Sequence, residues 1–259
     1  MSADVGSILT VLGSSSGDPH PERNCSGYVL QTGERLSLID CGGGVSSAFR
    51  RFGFDPEKVD RVFISHSHAD HCSDLPLFLQ MLYLTRRTNR LDIYVPDEYV
   101  VPLQLSMRAM YLLVERFTFP LEVHGYADGF TFDSPFTLTA VANTHMAKLH
   151  EIVAELKLPN RCQCHSFKIR AGGSAVFYSG DIGGLDDLRP HVGGCDLVLT
   201  ELTHVDLDEF VAFALTTDVG RWIITHLGDN EDTARMCDTL QRAGLTNVGF
   251  AEDGLEISL

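Results

Sequence analysis

Apolar positions in this chain come in short, nearly unbroken runs, each closed by a cluster of turn residues. The first is Ile8-Leu9-Thr10-Val11-Leu12, followed by the turn-rich Gly13-Ser14-Ser15-Ser16-Gly17-Asp18-Pro19. Such runs predict buried strands, with Gly, Ser, Asp and Pro marking the connections. On this basis strands are expected over 27–31, 34–40, 62–64, 91–95, 121–124, 131–132, 136–142, 165–171, 175–178, 196–201, 221–225 and 255–259. Thr32-Gly33-Glu34 and Gly172-Gly173 read as hairpin turns. Longer segments predict helices over 45–52, 73–87, 97–115, 185–191, 207–215 and 231–244. The order runs strands, helices, strands, helices. Strands without clean alternation need cover on both faces, so an α/β architecture is expected. No internal repeat, low-complexity tract or Pro-rich linker interrupts the pattern, and one domain over 1–259 is expected.

Two helices carry side chains worth weighing. The helix at 73–87 ends near Arg86, Arg87 and Arg90. A phosphate clamp is one reading; a solvated helix end is favoured, because cations there suit the helix dipole. The helix at 97–115 carries Leu103, Met107, Met110, Tyr111 and Leu112. Core packing is the default for these, with a substrate pocket or a homodimer face as the alternatives.

The densest chemistry follows the apolar run Val62-Phe63-Ile64. Ser65-His66-Ser67-His68-Ala69-Asp70-His71 sets three imidazoles and one carboxylate in the turn after a strand. These are ligand types for zinc, and also for iron or manganese. One ion cannot easily take all four groups from so short a turn. Two adjacent ions can, with His66 and His68 on one side and Asp70 and His71 on the other.

Charge and cysteine content narrow the field. The net charge of −15 argues against a broad basic face for nucleic acid. The seven cysteines (25, 41, 72, 162, 164, 195, 237) are scattered and odd in number, which fits reduced thiols and a cytoplasmic setting. Cys162 and Cys164 have no second pair at zinc-ribbon spacing. The N-terminal segment lacks the charged region of a signal peptide, and no stretch is long enough to span a membrane.

His66-Ser67-His68-Ala69-Asp70-His71 resembles the HxHxDH signature of the metallo-β-lactamase superfamily. The resemblance extends to Val141-Ala142-Asn143-Thr144-His145, Val176-Phe177-Tyr178-Ser179-Gly180-Asp181 and Trp222-Ile223-Ile224-Thr225-His226. It implies a four-layer αβ/βα sandwich with metals where the strand ends meet. It also implies His66, His68, His145 and Asp181 at one divalent ion, and Asp70, His71, His226 and Asp181 at the other. Zinc is the expected metal, with manganese or iron as alternatives. Asp40, in Asp40-Cys41-Gly42, would orient a ligand histidine, although a helix cap or Asx-turn explains it equally well. Two ions about 3.5–4 Å apart share a water and lower its pKa, so a hydroxide is the expected nucleophile. The remaining histidines (20, 124, 150, 165, 191, 204) are first read as ordinary.

Within the superfamily the loops are most similar to the ribonuclease Z-like branch, which includes a cyclic phosphodiesterase. The Leu12–Pro19 loop, Arg23-Asn24-Cys25-Ser26, Ser166-Phe167 and Ser179-Gly180-Asp181 carry that likeness. Three departures stand out. The interval from His145 to Asp181 is too short for a tRNA-binding arm, the chain has only four lysines, and the His-Ser-Thr element has no match between Asp206 and Arg221. A small or cyclic phosphodiester is therefore expected as substrate, and tRNA is not. Glu201 falls on the branch's orienting glutamate, and His204 lies three residues on. Asp70, Glu201 and His204 are the catalytic candidates, with His204 in place of the missing histidine as general acid. The competing readings are that His204 packs like an aromatic and that Glu201 holds a ligand histidine. An acyl, lactone or thioester hydrolase is the alternative activity, and an iron-dependent oxidoreductase a more distant one.

Overall fold

Fourteen strands and seven α-helices are described in the computed structural model, which covers residues 6–259. Residues 1–5, the start of the expected domain and of the segment weighed as a leader, lie outside the described residues. The strands are β1 (Ser7–Gly13), β2 (Gly27–Thr32), β3 (Arg35–Ile39), β4 (Val59–Phe63), β5 (Leu91–Pro96), β6 (Leu121–Tyr126), β7 (Thr131–Asp133), β8 (Thr137–Ala142), β9 (His165–Ala171), β10 (Ser174–Tyr178), β11 (Cys195–Thr200), β12 (Val219–Ile224), β13 (Val248–Phe250) and β14 (Glu256–Ser258). The helices are α1 (Val45–Arg51), α2 (Ala69–Cys72), α3 (Leu75–Leu84), α4 (Val100–Ala109), α5 (His150–Glu155), α6 (Leu207–Thr216) and α7 (Asn230–Arg242).

Two sheets form, in the orders β14-β1-β2-β3-β4-β5-β6 and β13-β12-β11-β10-β9-β8-β7. The unbroken apolar runs follow from burial on both faces. On β4, Val59 and Val62 pack with Phe49 and Phe78 of α1 and α3, while Phe63 turns into the layer between the sheets. On β12, Trp222 and Ile224 pack with Phe210 and Phe213 of α6, and Ile223 faces the inter-sheet core. Three apolar layers result, one between the sheets and one under the helices on each outer side. This is the expected αβ/βα sandwich. Burying a side chain such as Phe49 or Phe78 stabilises the fold by about 1.5–3 kcal/mol relative to leaving it exposed. Asp206 and Asp229 cap α6 and α7, their carboxylates accepting from the backbone N–H of Glu209 (3.0 Å) and Asp232 (2.8 Å).

Several expectations need correction. The segment 97–115 is not one helix: a 3-10 turn at Asp97–Tyr99 precedes α4, and Tyr111, with φ +59°, ends the helical path before a second 3-10 turn at Val114–Arg116. Leu103, Met107 and Leu112 are core residues, but Met110 and Tyr111 are exposed. The segment 185–191 is helical only as the 3-10 turn Leu185–Asp187. Arg87 is neither a phosphate clamp nor a solvated helix end. It is 1% exposed, and its guanidinium donates to the carbonyls of Pro56, Asn89 and Arg90. Arg90 pairs on the surface with Asp92 and Glu122. Strand β13 and helix α5 were not anticipated.

The topology directs one edge of the molecule. Strands β3 to β6 run parallel, as do β10 to β13, and β8 runs with β10 because both are antiparallel to β9. Their carboxyl ends open onto that edge, where α/β sheets place ligand-binding loops.

Candidate metal centre

Each candidate ligand sits just past the carboxyl end of a strand. After β4 the chain bends at Ser65 and reaches His68, an extended residue that precedes the single turn of α2. The change from extended to helical backbone sends His66 and His68 one way and Asp70 and His71 the other. Gly42 is required beside this turn, because a Cβ there would lie 1.9 Å from the Asp70 carbonyl oxygen. Asp181 follows β10 through Gly180, whose φ is +56°. His226 follows β12, and Glu201 follows β11 directly. His145 lies three residues beyond β8 and opens a 3-10 turn (His145–Leu149), so it does not close the strand as expected.

The seven predicted ligands fall into two groups that share Asp181: His66, His68, His145 and Asp181, and Asp70, His71, Asp181 and His226. Within each group the ligand atoms lie within 4.8 Å of one another. Nε2 of His71 and of His226 stand 3.1 and 3.4 Å from Asp181 Oδ1, and His145 Nε2 stands 3.6 Å from Oδ2. One carboxylate oxygen thus serves each group. His226 Nε2 is 3.1 Å from Asp70 Oδ2, and His145 Nε2 is 3.1 Å from His68 Nδ1. His68 therefore presents Nδ1, and the other four imidazoles present Nε2.

The residues fit divalent cations on grounds internal to the protein. His66 Nε2, His71 Nε2 and Asp181 Oδ1 are buried without a hydrogen-bond partner, and all three belong to these groups. A buried polar atom left unsatisfied costs about 1–3 kcal/mol. Imidazole and carboxylate donors on two sides of a shared carboxylate suit two such ions.

Charge in the site is strongly coupled. Burial alone would raise the pKa of Asp70 and of Asp181, but neighbouring imidazoles reverse it, and both lie below the usual carboxylate range. Burial opposes the charged form of His71, yet Asp181 and Asp40 outweigh it and raise its proton affinity. Burial lowers that of His66, His68 and His145. A cation entering such a site displaces protons.

Asp40 supports the ligands from behind. It is fully buried, with φ +55°, and accepts from Ser65 N (2.7 Å), Ser65 Oγ (2.9 Å), His71 Nδ1 (2.8 Å) and Tyr178 Oη (2.6 Å). The open choice between cap and orienter is settled by contact: Asp40 fixes the His71 ring and joins both sheets through Tyr178. Asn143 Nδ2 donates to the Asp181 carbonyl (2.9 Å) and holds that turn. Asp253 accepts from Ser14 and Asn24, tying the 13–18 loop in place beside Asp70 and Leu227. Asn143, Tyr178 and Asp253 were missed in the sequence, and no local signal marks them.

Glu201 and His204 meet as expected. Glu201 is fully buried and accepts from His204 Nδ1 (2.7 Å), His204 N (3.0 Å) and Ile182 N (3.1 Å). The His204 ring lies 4.8 Å from that of His145 and 6.5 Å from that of His226, centroid to centroid. Its hydrogen bond to Glu201 raises its pKa above the ordinary histidine value. A cavity of about 290 Å³ opens here, walled by His68, His145, Lys148, Leu149, Ile182, Gly183 and His204.

Two sheets with this edge and these donors have the form of the β-lactamase superfamily. The family profile described as "Beta-lactamase superfamily domain" matches residues 35–246, and the chain belongs to that family. It is 27% identical over 235 residues to the Bacillus subtilis protein named "Probable metallo-hydrolase YhfI", covering 85% of this chain and 86% of that one. The crystal structure of YhfI superposes with a TM-score of 0.75 at 22% identity, over 98% and 99% of the two chains. Ribonuclease Z of Myxococcus xanthus is 37% identical over 121 residues, 47% of this chain, and the match spans only 38% of that enzyme. A crystal structure described as a new diphosphatase from the PhnP family gives a TM-score of 0.70 at 18% identity, over 98% and 97% of the two chains. At these identities the structural likenesses show the fold alone. All seven cysteines are free, and no described helix is long and apolar enough to cross a membrane.

Proposed function

We propose that this protein is a phosphodiesterase that uses two divalent metal ions, zinc ahead of manganese or iron, on a small or cyclic diester. The observation that carries the reading is the Glu201–His204 pair beside two ligand groups that share Asp181. When bound, the ions supply an activated water and neutralise charge on the phosphoryl oxygens. His66, His68 and His145 would hold one, and Asp70, His71 and His226 the other, with Asp181 between.

The remaining chemistry belongs to the chain. A water oxygen bonds to phosphorus as the bond to the departing oxygen breaks. That oxygen leaves with the electron pair and takes the proton of His204, and the proton lost by water returns to solvent. Glu201 holds Nδ1 of His204 and favours its protonated form, which leaves Nε2 to donate. The cavity lies near the lower end of the usual ligand-pocket range of roughly 300–1,000 Å³, which supports a small substrate over tRNA. The free cysteines support a cytoplasmic setting.

The test is a panel of phosphodiester, phosphomonoester, β-lactam, lactone and thioester on metal-replete protein, with metal analysis of protein purified without added metal. Diester turnover should dominate. Faster lactone or thioester turnover, or redox-active iron as the resident metal, would place the activity elsewhere in the superfamily.

A further inference from the structure

Between β8 and β9 the chain crosses the mouth of the site as a strap, residues 144–164, clamped at both ends. At one end Asp187 accepts from Thr144 N, Thr144 Oγ1 and Gly183 N. At the other, Glu98 accepts from the backbone N–H of Arg161 and Gln163, and Arg161 pairs with Asp97. The strap places Lys148 and Leu149 in the wall of the cavity that His204 also lines. In a chain of net charge −15 with four lysines, this one stands where no wall residue is a carboxylate. Among the described residues it has no ion-pair partner, whereas Lys58 pairs with Glu34. Asp70 and His226 are not among the cavity walls, so Lys148 stands on the His204 side of the metal groups.

Resting on the phosphodiesterase reading, in which His204 protonates the departing oxygen, we propose that Lys148 is a specificity-determining residue that binds a negative charge carried by the leaving group. Leu149 and Ile182 hold the carbon frame between that charge and the scissile bond. The substrate class is a diester or diphosphate whose departing half bears its own phosphoryl or carboxylate group. Among the described residues no hydrogen bond or ion pair joins Lys148 to a candidate ligand, and its proposed partner lies on the departing half away from the scissile bond, so its contribution is to KM more than to kcat.

The test uses alkyl aryl phosphates of matched leaving ability. One has a neutral aryl half, one a carboxylated aryl half, one a phosphorylated aryl half, and one carries its carboxylate on the alkyl half. Wild-type holoenzyme should prefer the anionic aryl diesters, and comparing the two shows which anion the site takes. Lys148→Gln should lose about tenfold in kcat/KM on these, mainly through KM, because a charge-assisted hydrogen bond is worth about 1.5 kcal/mol or more. On the neutral diester it should lose about threefold or less, and Lys148→Arg should keep most of the preference. Equal losses on neutral and anionic aryl diesters, or a loss that follows the alkyl carboxylate, overturns the assignment. If wild type cleaves none of the diesters, the phosphodiesterase reading has failed, and binding of the carboxylated phenol by calorimetry then decides Lys148 separately. Weaker binding to Lys148→Gln keeps it, and unchanged binding removes it.

Discussion

Asp40→Asn probes the support of the site without touching a candidate ligand. Asparagine tolerates the left-handed backbone at φ +55° and fills the same volume, so strain and cavity terms stay small. The side-chain oxygen can still accept from Ser65 N, but an amide now faces Ser65 Oγ, Tyr178 Oη and His71 Nδ1, which all give their protons to Oδ2 of Asp40. The two hydroxyls can rotate and accept instead. His71 can adapt only by moving its proton from Nδ1 to Nε2, the nitrogen that faces Asp181. Losing such a support costs metal affinity roughly 10–100-fold, or about 1.4–2.7 kcal/mol. Fold stability should fall by about 1–3 kcal/mol for the group left unsatisfied. Asp40→Ala leaves four donors unpaired in a fully buried site and should cost more, a large share of the 5–15 kcal/mol typical of a domain. The assay is competition of metal-free protein with a chromophoric chelator, alongside urea denaturation with and without metal. If Asp40→Asn binds metal within threefold of wild type, orientation of His71 by Asp40 is not what sets affinity.

Three further outcomes are expected. Elemental analysis should find two ions per chain at saturation, with Asp181→Ala weakening both and His145→Ala mainly one; a single ion in wild type would end the two-ion reading. His204→Gln should cost roughly hundredfold on a diester with a poor leaving group and little on an activated one, as general acids do. A general acid must carry its proton, and Glu201 raises the pKa of His204, so kcat/KM on the poor leaving group should fall as pH rises past that raised value. That descending limb should vanish in His204→Gln. Precursor tRNA should bind weakly at physiological ionic strength, because phosphate contacts dominate such binding and the chain carries a net charge of −15; tight, salt-sensitive binding would contradict this.

The candidate ligands could be picked out in the sequence because each is local to a strand end, and burial on both faces makes those strands conspicuous as apolar runs. What could not be read depends on distant contacts. Arg87 looks like any helix-terminal cation until Pro56 and Asn89 come into place around it. Asp40 had two equal explanations, and its contact with His71, 31 residues away, separates them, while the bond from Tyr178, 138 residues away, could not be foreseen. The segment 185–191 contains Pro190, which lacks the N–H that a continuing helix needs, and the helical path is confined to the 3-10 turn Leu185–Asp187. Strand β13 is three residues with a central glycine, too short for periodicity to register. The Lys148 position has no sequence signal at all, since it depends on where the strap crosses.

These two kinds of residue also divide the work of the site. The ligands stand on strand ends braced by Asp40, Asn143 and Tyr178, all held by hydrogen bonds to the sheets or to the turns that leave them. Beyond the candidate ligand His145 and the buried Met146, the strap is held at its ends by Asp187 and by Asp97 and Glu98, and its middle exposes Leu149, Ile152, Leu156 and Leu158. Changes in the strap beyond His145 can therefore alter what enters the cavity while the metal groups keep their geometry. A one-residue slip in β10 or β12 would instead displace the turn that carries Asp181 or His226 and break the shared carboxylate. Substitutions at 148, 149 or 152 should accordingly shift substrate preference with metal affinity unchanged, whereas substitutions at 40, 143 or 178 should lower metal affinity and turnover together on every substrate. Measuring both quantities across the two sets separates the roles, and a variant at 148, 149 or 152 that loses metal as readily as Asp40→Asn would show that the strap beyond His145 also sets the metal site.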